Sequence, residues 1–372
     1  MVASSGGRSG IELASNLHER AIAYRGQYKY ARAKMLASRA LGVLEKSLGA
    51  EHPQLAEVLN TVGEICEQQN EYSAAERVYQ RSVDITQKVS RDAEFAWLRV
   101  RSLRHLAGIY RIQGKYHPAE KLLLRTIKLA ETVLGREHLE LGASLNELGI
   151  LYKYQARFTE AKRLYKRALS IEEKTLGCEH PNIASIYHNL GGLEHARGRY
   201  TQGEPFARRS VAIRKKVLGP DHPEVAADIA ALAAILDGQK KYQESEPLYR
   251  QALKIFEKTI GRNNYEIAIN CNNLAAICHA KGDYTEADRL YRRSLTIKGK
   301  ILGPDHPDVA VTLNNLAVLH KSEGHYRKAD HAYRRALVIL KKTFGPSHPK
   351  VATCEENHGR LLEHMKTHGV KR

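Results

Sequence analysis

Five histidine–proline pairs at matching places in the repeats are the first residues whose chemistry needs an account: His52-Pro53, His180-Pro181, His222-Pro223, His306-Pro307 and His348-Pro349. Imidazoles bind metals and move protons, but these occur one per repeating segment, a full helix pair apart, and cannot converge on one tetrahedral ion. Proline is preorganised for the first helical turn, and the Asp or Glu before most of these histidines suits the positive end of a helix. The pairs therefore read as linker chemistry. His364 and His368 stand i, i+4 near the C-terminal end and could share a metal; without a third ligand in the sequence they read as a solvated tail. No nucleophile elbow, phosphate loop, paired-carboxylate site or zinc motif occurs. The expectation is a non-enzyme with no catalytic residue, metal or cofactor.

Two polar columns remain. Arg39, Arg81, Arg125, Arg167, Arg209, Arg293 and Arg335 hold one register position and would suit a basic ridge for nucleic acid or anionic membrane. The aromatic residues that single-strand binders interleave with such groups are missing from that face, so a solvated helix face is the preferred reading and nucleic acid is disfavoured as a partner. The second column holds Asn60, Asn146, Asn272 and Asn314, with Arg104 at an asparagine position; one residue further on in register come Asn189, Asn273, Asn315 and Asn357. An amide both donates and accepts, so a ladder of amides can hold an extended peptide backbone without dictating its side chains. It can equally tie neighbouring helices together. Further along this face lie Arg25, Arg111, Lys153 and Lys321, against Glu67, Asp237 and Glu363, a mildly positive balance.

Paired helices must carry these columns. In the stretch from Leu302 to Gly345, Leu313, Leu316 and His320 follow i, i+3, i+7, and Ala329, Tyr333, Ala336, Leu337 and Leu340 follow i, i+4, i+7, i+8, i+11. Each half thus has one buried face. Gly324 and Tyr326 mark the reversal between them, the glycine because a tight helix-to-helix turn often needs positive φ. Leu-Gly pairs close each unit at Gly135, Gly177, Gly219 and Gly303, with Ile260-Gly261 and Phe344-Gly345 as variants, a constant step of 42 residues. Leu48-Gly49 lies 86 residues before Gly135, two periods and two residues more, and the copy near Arg91 has lost its glycine. Small residues keep register at Ala21, Gly63, Ala107, Gly149, Gly191, Ala233, Ala275 and Ala317, and twice more in the second helices. An aromatic knob, Tyr79, Tyr165, Tyr249, Tyr291 and Tyr333, runs between those two second-helix columns. Knobs facing small residues form a helix-packing code. A lone hairpin cannot bury its apolar faces, so the repeats must stack.

The hairpin pattern of Leu148, Gly149, Tyr152, Ala161, Tyr165 and Ala168 resembles the tetratricopeptide repeat, and the 42-residue form with its His-Pro element resembles the repeats of kinesin light chain, most closely in DHPDVAVTLNNLAVLH. The resemblance covers roughly residues 11 to 365. It implies an all-α solenoid, a right-handed superhelix of antiparallel helix hairpins, with the asparagine edge on its concave surface. It also implies a protein-interaction adaptor, and similar asparagines in such repeats contact cargo peptides. On that basis the peptide-binding residues are expected to be Asn60, Arg104, Asn146, Lys153, Asn189, Asn272, Asn273, Asn314, Asn315 and Lys321, and the ligand an extended, acidic protein segment. One subclass of the family clamps a C-terminal carboxylate, but the residue one turn after the asparagine column is Glu64, Ile150, Ala276 or Val318, so that clamp is not built. The heptad region through which kinesin light chain pairs with a motor is not matched, so the resemblance does not extend to motor association.

The expected organisation is a disordered lead-in at residues 1–10, eight hairpins over 11–350, and a capping helix and tail over 351–372, where Glu355 and His358 replace leucines. Repeat one is expected to be irregular because Gly26 sits early, and Trp97 is expected to fill the gap at the joint after repeat two. A net charge of +18 favours acidic partners. The five cysteines have neither CxxC spacing nor even pairing and read as reduced thiols. With no apolar run long enough to span a membrane, a cytoplasmic protein is expected. Two other readings are a basic scaffold acting through the arginine column and an architectural solenoid that self-associates; the sequence sets no oligomeric state.

Overall fold

The computed structural model of the chain describes residues 5–88, 95–346 and 348–368. Among these residues the regular structure is helical throughout, with no strand. Eight hairpins follow in order: α1 (Ser5–Gly26) with α2 (Tyr30–Leu48), α3 (Leu55–Gln68) with α4 (Tyr72–Lys88), α5 (Ala96–Ile112) with α6 (Tyr116–Val133), and α7 (Leu139–Tyr154) with α8 (Phe158–Leu176). Next come α9 (Pro181–Ala196) with α10 (Tyr200–Leu218), α11 (Pro223–Gly238) with α12 (Tyr242–Thr259), α13 (Tyr265–Ala280) with α14 (Tyr284–Leu302), and α15 (Pro307–Ser322) with α16 (Tyr326–Phe344), and α17 (Pro349–Thr367) closes the series. Residues 5–10, expected in a lead-in, belong to α1. The joint near Arg91 lies outside the described residues, and Trp97 is half-buried at the start of α5.

Every hairpin turns in the same way. The N–H five residues on reaches back to a carbonyl in the last helical turn, as in His325 to His320 and Arg157 to Tyr152, both 2.8 Å, the six-to-one bond of a Schellman motif. The residue before the donor must take positive φ. It is glycine at Gly114, Gly198, Gly282 and Gly324, but Tyr28, Asn70, Ala156 and Lys240 adopt φ of 59–61° at the same place. Repeat one is therefore regular: its turn residue is Tyr28, and Gly26 is only the end of α1.

The starts of the first helices explain the His-Pro pairs. His138, His222, His306 and His348 are N-caps whose Nδ1 accepts the N–H two residues on, at 3.1–3.2 Å, and His52 and His180 make the same bond at 3.3 and 3.2 Å. Asn264 serves with its amide oxygen at the start of α13, where the histidine is absent. Only a neutral imidazole with its proton on Nε2 can act this way.

The packing code holds. Tyr79, Tyr165, Tyr249, Tyr291 and Tyr333 are all buried, and a Cβ added to Gly149 would come within 2.6 Å of the Tyr165 ring. Gly63 stands in the same relation to Tyr79. The chain divides into two compact units, Met1–Leu193 and Glu194–Arg372, the division falling within α9. In the first, α1, α3, α5 and α7 touch in succession; in the second, α11, α13, α15 and α17 do, and no comparable contact joins consecutive second helices in either unit. The first helices thus form the inner face of each unit. Cys66, Cys271, Cys278 and Cys354 are buried and Cys178 is exposed, all free thiols; burial pushes Cys271, Cys278 and Cys354 up to about 11, where they are inert.

Candidate inner-face binding surfaces

In the second unit the asparagines form a relay. Asn357 Nδ2 donates to Asn314 Oδ1 at 3.3 Å, Asn314 to Asn315 at 3.4 Å, Asn315 to Asn272 at 3.3 Å and Asn272 to Asn273 at 3.3 Å. Steps of one residue alternate with steps of 43, so the chain of amides crosses from α17 to α15 to α13. All five are half-buried. Each internal amide spends one N–H and one lone pair on its neighbours and keeps a second of each. Lys321, two turns beyond Asn314, has no carboxylate partner among the described residues.

In the first unit much of the corresponding face is occupied by charge. Glu64 receives Arg25 and Arg101, the latter at 2.6 Å; Glu67 receives His105 Nδ1 at 3.2 Å and the Tyr79 hydroxyl, and His105 Nε2 accepts from Arg104 at 3.2 Å. Arg104 pairs with Glu140 at 3.4 Å and Arg111 with Glu147 at 2.8 Å. Burial and the nearby Arg104 guanidinium pull the His105 pKa down, against the pull of Glu67. Asn189 donates to Asn146 at 2.9 Å, the one amide pair of this face. Lys153 lies half-buried with no carboxylate partner among the described residues, and desolvation and the Arg111 charge lower its pKa.

The expected site residues therefore separate. Asn273, Asn272, Asn315 and Asn314 come together, as do Asn146 and Asn189. Asn60 is a correction: it is 1% exposed, and its Oδ1 accepts from Ser102, 2.9 Å away on α5, so it ties two first helices together below the surface. Arg104 is neutralised, as are Arg25 and Arg111, which leaves the inner face less positive than a residue count implies. His364 belongs to no solvated tail, because its Nε2 meets the Tyr326 hydroxyl at 2.9 Å.

Part of the arginine column is spent on ion pairs between second helices. Arg81 pairs with Glu45 and Arg293 with Glu257, each at 2.6 Å, and Arg167 with Glu131, always 36 residues back on the preceding second helix. Arg125 has no such pair: the corresponding residue is Gln87, and both line a groove of about 840 Å³ between α4, α5 and α6. Arg99, Lys121 and Lys128 share that groove over a floor of Val83, Leu103, Leu106, Leu122 and Leu129.

The tetratricopeptide repeat model matches residues 12–88, 98–174, 182–258 and 265–342. The chain belongs to the tetratricopeptide repeat family. Its members in general mediate protein–protein interaction, and the solenoid fold is typically a non-enzymatic scaffold. Among solved structures it is similar to a signal-transduction ATPase with a tetratricopeptide repeat sensor from Pyrococcus horikoshii, with 14% identity, 90% of this chain and 49% of that one covered, and a TM-score of 0.60. It is similar to the apo form of RapI, with 16% identity, 77% and 98% covered, and a TM-score of 0.55. It also shares 27% identity with the nearly identical repeats of a putative kinesin light chain from Podosopora anserina, covering 56% and 99%, with a TM-score of 0.47. No curated protein matches the chain in sequence. No described helix is long and apolar enough to cross a membrane.

Sequence reasoning missed two features of this tetratricopeptide chain. One is Glu172, buried in α8 with Oε2 unpartnered and its pKa pushed by desolvation up to about 7, against a hydrogen bond from Asn182. The other is the buried pair of Arg214 Nε and Asp228 Oδ2 at 2.7 Å. The 42-residue register supplies the signal for both, since Glu172 and Arg214 share a column with the apolar Phe256 and Leu340.

Proposed function

We propose that this protein is an interaction adaptor that docks extended, acidic peptide segments on its inner faces, chiefly on the amide relay of the second unit. The observation that carries the reading is the half-buried relay itself, whose spare N–H groups and lone pairs suit the backbone of an extended chain. Lys321 beside the relay and Lys153 on the first unit are cations without a carboxylate partner, which suits acidic side chains in the ligand. Docking of this kind is reversible and needs no catalytic group.

The test is fluorescence polarisation with acidic and charge-reversed peptide arrays, comparing the wild type with Asn272→Ala/Asn314→Ala/Asn315→Ala after circular dichroism shows both to be folded. Acidic peptides should bind the wild type and lose at least about tenfold in affinity to the triple variant, the worth of one or two hydrogen bonds. Equal binding by both proteins would leave the amides as packing alone.

A second reading rests on the groove at Arg125, where four cations face no carboxylate among the described lining residues. There an anionic ligand would bind on the outer side. Its signature is affinity for any polyanion that falls steeply with log salt, is lost on Arg99→Ala/Arg125→Ala, and ignores the asparagine substitutions.

A further inference from the structure

The Schellman turn of each hairpin sets the side chains of residues i and i+5 against each other. In three repeats the pair is a tyrosine and a cation: Tyr24 with Lys29, Tyr110 with Lys115, and Tyr152 with Arg157, 5.7, 5.3 and 3.6 Å from charge to ring centroid. The third position between them is glutamine at Gln27, Gln113 and Gln155. The eighth repeat departs at all three places at once, with His320, Glu323 and His325. The same backbone that elsewhere makes a cation–π contact here gathers two imidazoles and a carboxylate.

The geometry is that of a ligand set. His320 Nδ1 lies 3.1 Å and His325 Nδ1 3.4 Å from the same oxygen, Glu323 Oε2, and one ligand atom from each residue falls within 4.8 Å of the others. Ligands at 2.0–2.1 Å around a tetrahedral zinc ion stand about 3.3 Å apart, so two edges of the triangle already have the required length. Burial grades across the site. His320 is 5% exposed and held in place, while His325 is exposed and gives an approaching ion a way in.

An independent observation points to the same place. Asp288 Oδ1 on α14 is buried with no hydrogen-bond partner and lies 4.0 Å from His320 Nε2; its other oxygen accepts from Arg292 at 2.5 Å. A carboxylate facing the second ring nitrogen is what orients a ligating histidine and raises its basicity. In the apo arrangement that oxygen is orphaned. Once His320 ligates through Nδ1, its proton must sit on Nε2, the nitrogen that faces Asp288.

We propose that His320, Glu323 and His325 bind a divalent transition-metal ion of the zinc class through two nitrogens and one oxygen, with Asp288 as the positioning residue and an open fourth coordination position. This site is independent of the peptide reading, since it lies on the α15–α16 turn.

The full-length chain carrying His364→Ala/His368→Ala, which removes the histidine pair of α17, is titrated with Co²⁺ as a spectroscopic probe and then with Zn²⁺. One saturable equivalent of Co²⁺ with the intense visible absorption of a tetrahedral site, displaced by Zn²⁺, is expected. His325→Ala, an exposed position whose loss leaves the circular dichroism unchanged, should weaken binding at least about tenfold, and Asp288→Asn by about 10–100-fold. Absence of saturable Co²⁺ binding, equal binding by the His325→Ala variant, or binding that disappears with His364 and His368 would each overturn the assignment and leave a hydrogen-bonded His–Glu–His contact.

Discussion

The inner faces of the two units solve one problem in two ways. At matching register the first unit carries Arg104, His105 and Glu147, with Glu64 one turn on, and the second carries Asn272, Asn273, Asn314 and Asn315. The charges close on one another: each carboxylate is met by a cation from a neighbouring first helix, and little capacity is left for a ligand. The amides link up without exhausting themselves, because each has two donors and two acceptor sites and the relay uses one of each. A self-neutralised face is defined by its own fold. An amide face can still hold something else.

The same contrast recurs in the interior. In one register column the first unit buries Glu172 with an unpartnered oxygen, whereas the second buries Arg214 against Asp228. The largest test of the comparison acts on that pair. Asp228→Ala removes the interior carboxylate from a 6% exposed guanidinium, leaving it only the half-exposed Glu224, and should destabilise the chain by about 1.5–3 kcal/mol in a denaturant melt. Glu64→Gln on the first inner face, where water reaches the groups, should cost far less. Equal effects would erase the distinction between buried and inner-face charge.

The next test reads pH. Burial raises Glu172 to about 7, so the folded chain takes up this proton before the unfolded one, and the group favours folding increasingly as pH falls toward about 4.5. In Glu172→Gln that dependence should vanish, with a gain of up to about 3 kcal/mol above pH 8. His18, His105 and His222 run the other way. Burial holds them below the ordinary imidazole value, so their stabilisation is complete above about pH 6.5 and is lost as pH falls through their folded values. Melts of the wild type and Glu172→Gln across this range should separate the two slopes; identical curves would mean that Glu172 is not buried as described.

The smallest effect concerns the turns, which the two units share. Ala156 in the first unit and Lys240 in the second hold positive φ where four other repeats have glycine. Ala156→Gly and Lys240→Gly should each stabilise by a few tenths to about 1 kcal/mol, the left-handed penalty less the added entropy of the unfolded chain. A loss of stability in either would show that the turn is not under backbone strain.

Much of this was legible before the fold was seen. The 42-residue period, the helix pairs, the tyrosine knobs over small residues and the reading of the His-Pro pairs as linkers that start helices all follow from local preference and strict spacing, which act within one repeat or between similar copies. Even there Gly26 misled, because position in the turn, and not residue type, sets the left-handed conformation, and Tyr28 takes it. What the sequence determined by itself is therefore the repeat and its register. Only the tertiary structure decided which polar groups are spent and which remain. Arg104 and Arg111 look like groove cations until α7 supplies Glu140 and Glu147 some 36 residues away. Asn60 shares a column with Asn272 yet is sealed beneath α5, and His320 meets its carboxylates only where a turn and α14 converge. Desolvation and pairing depend on what the next repeat presents, and that neighbour is reached across space, not along the chain.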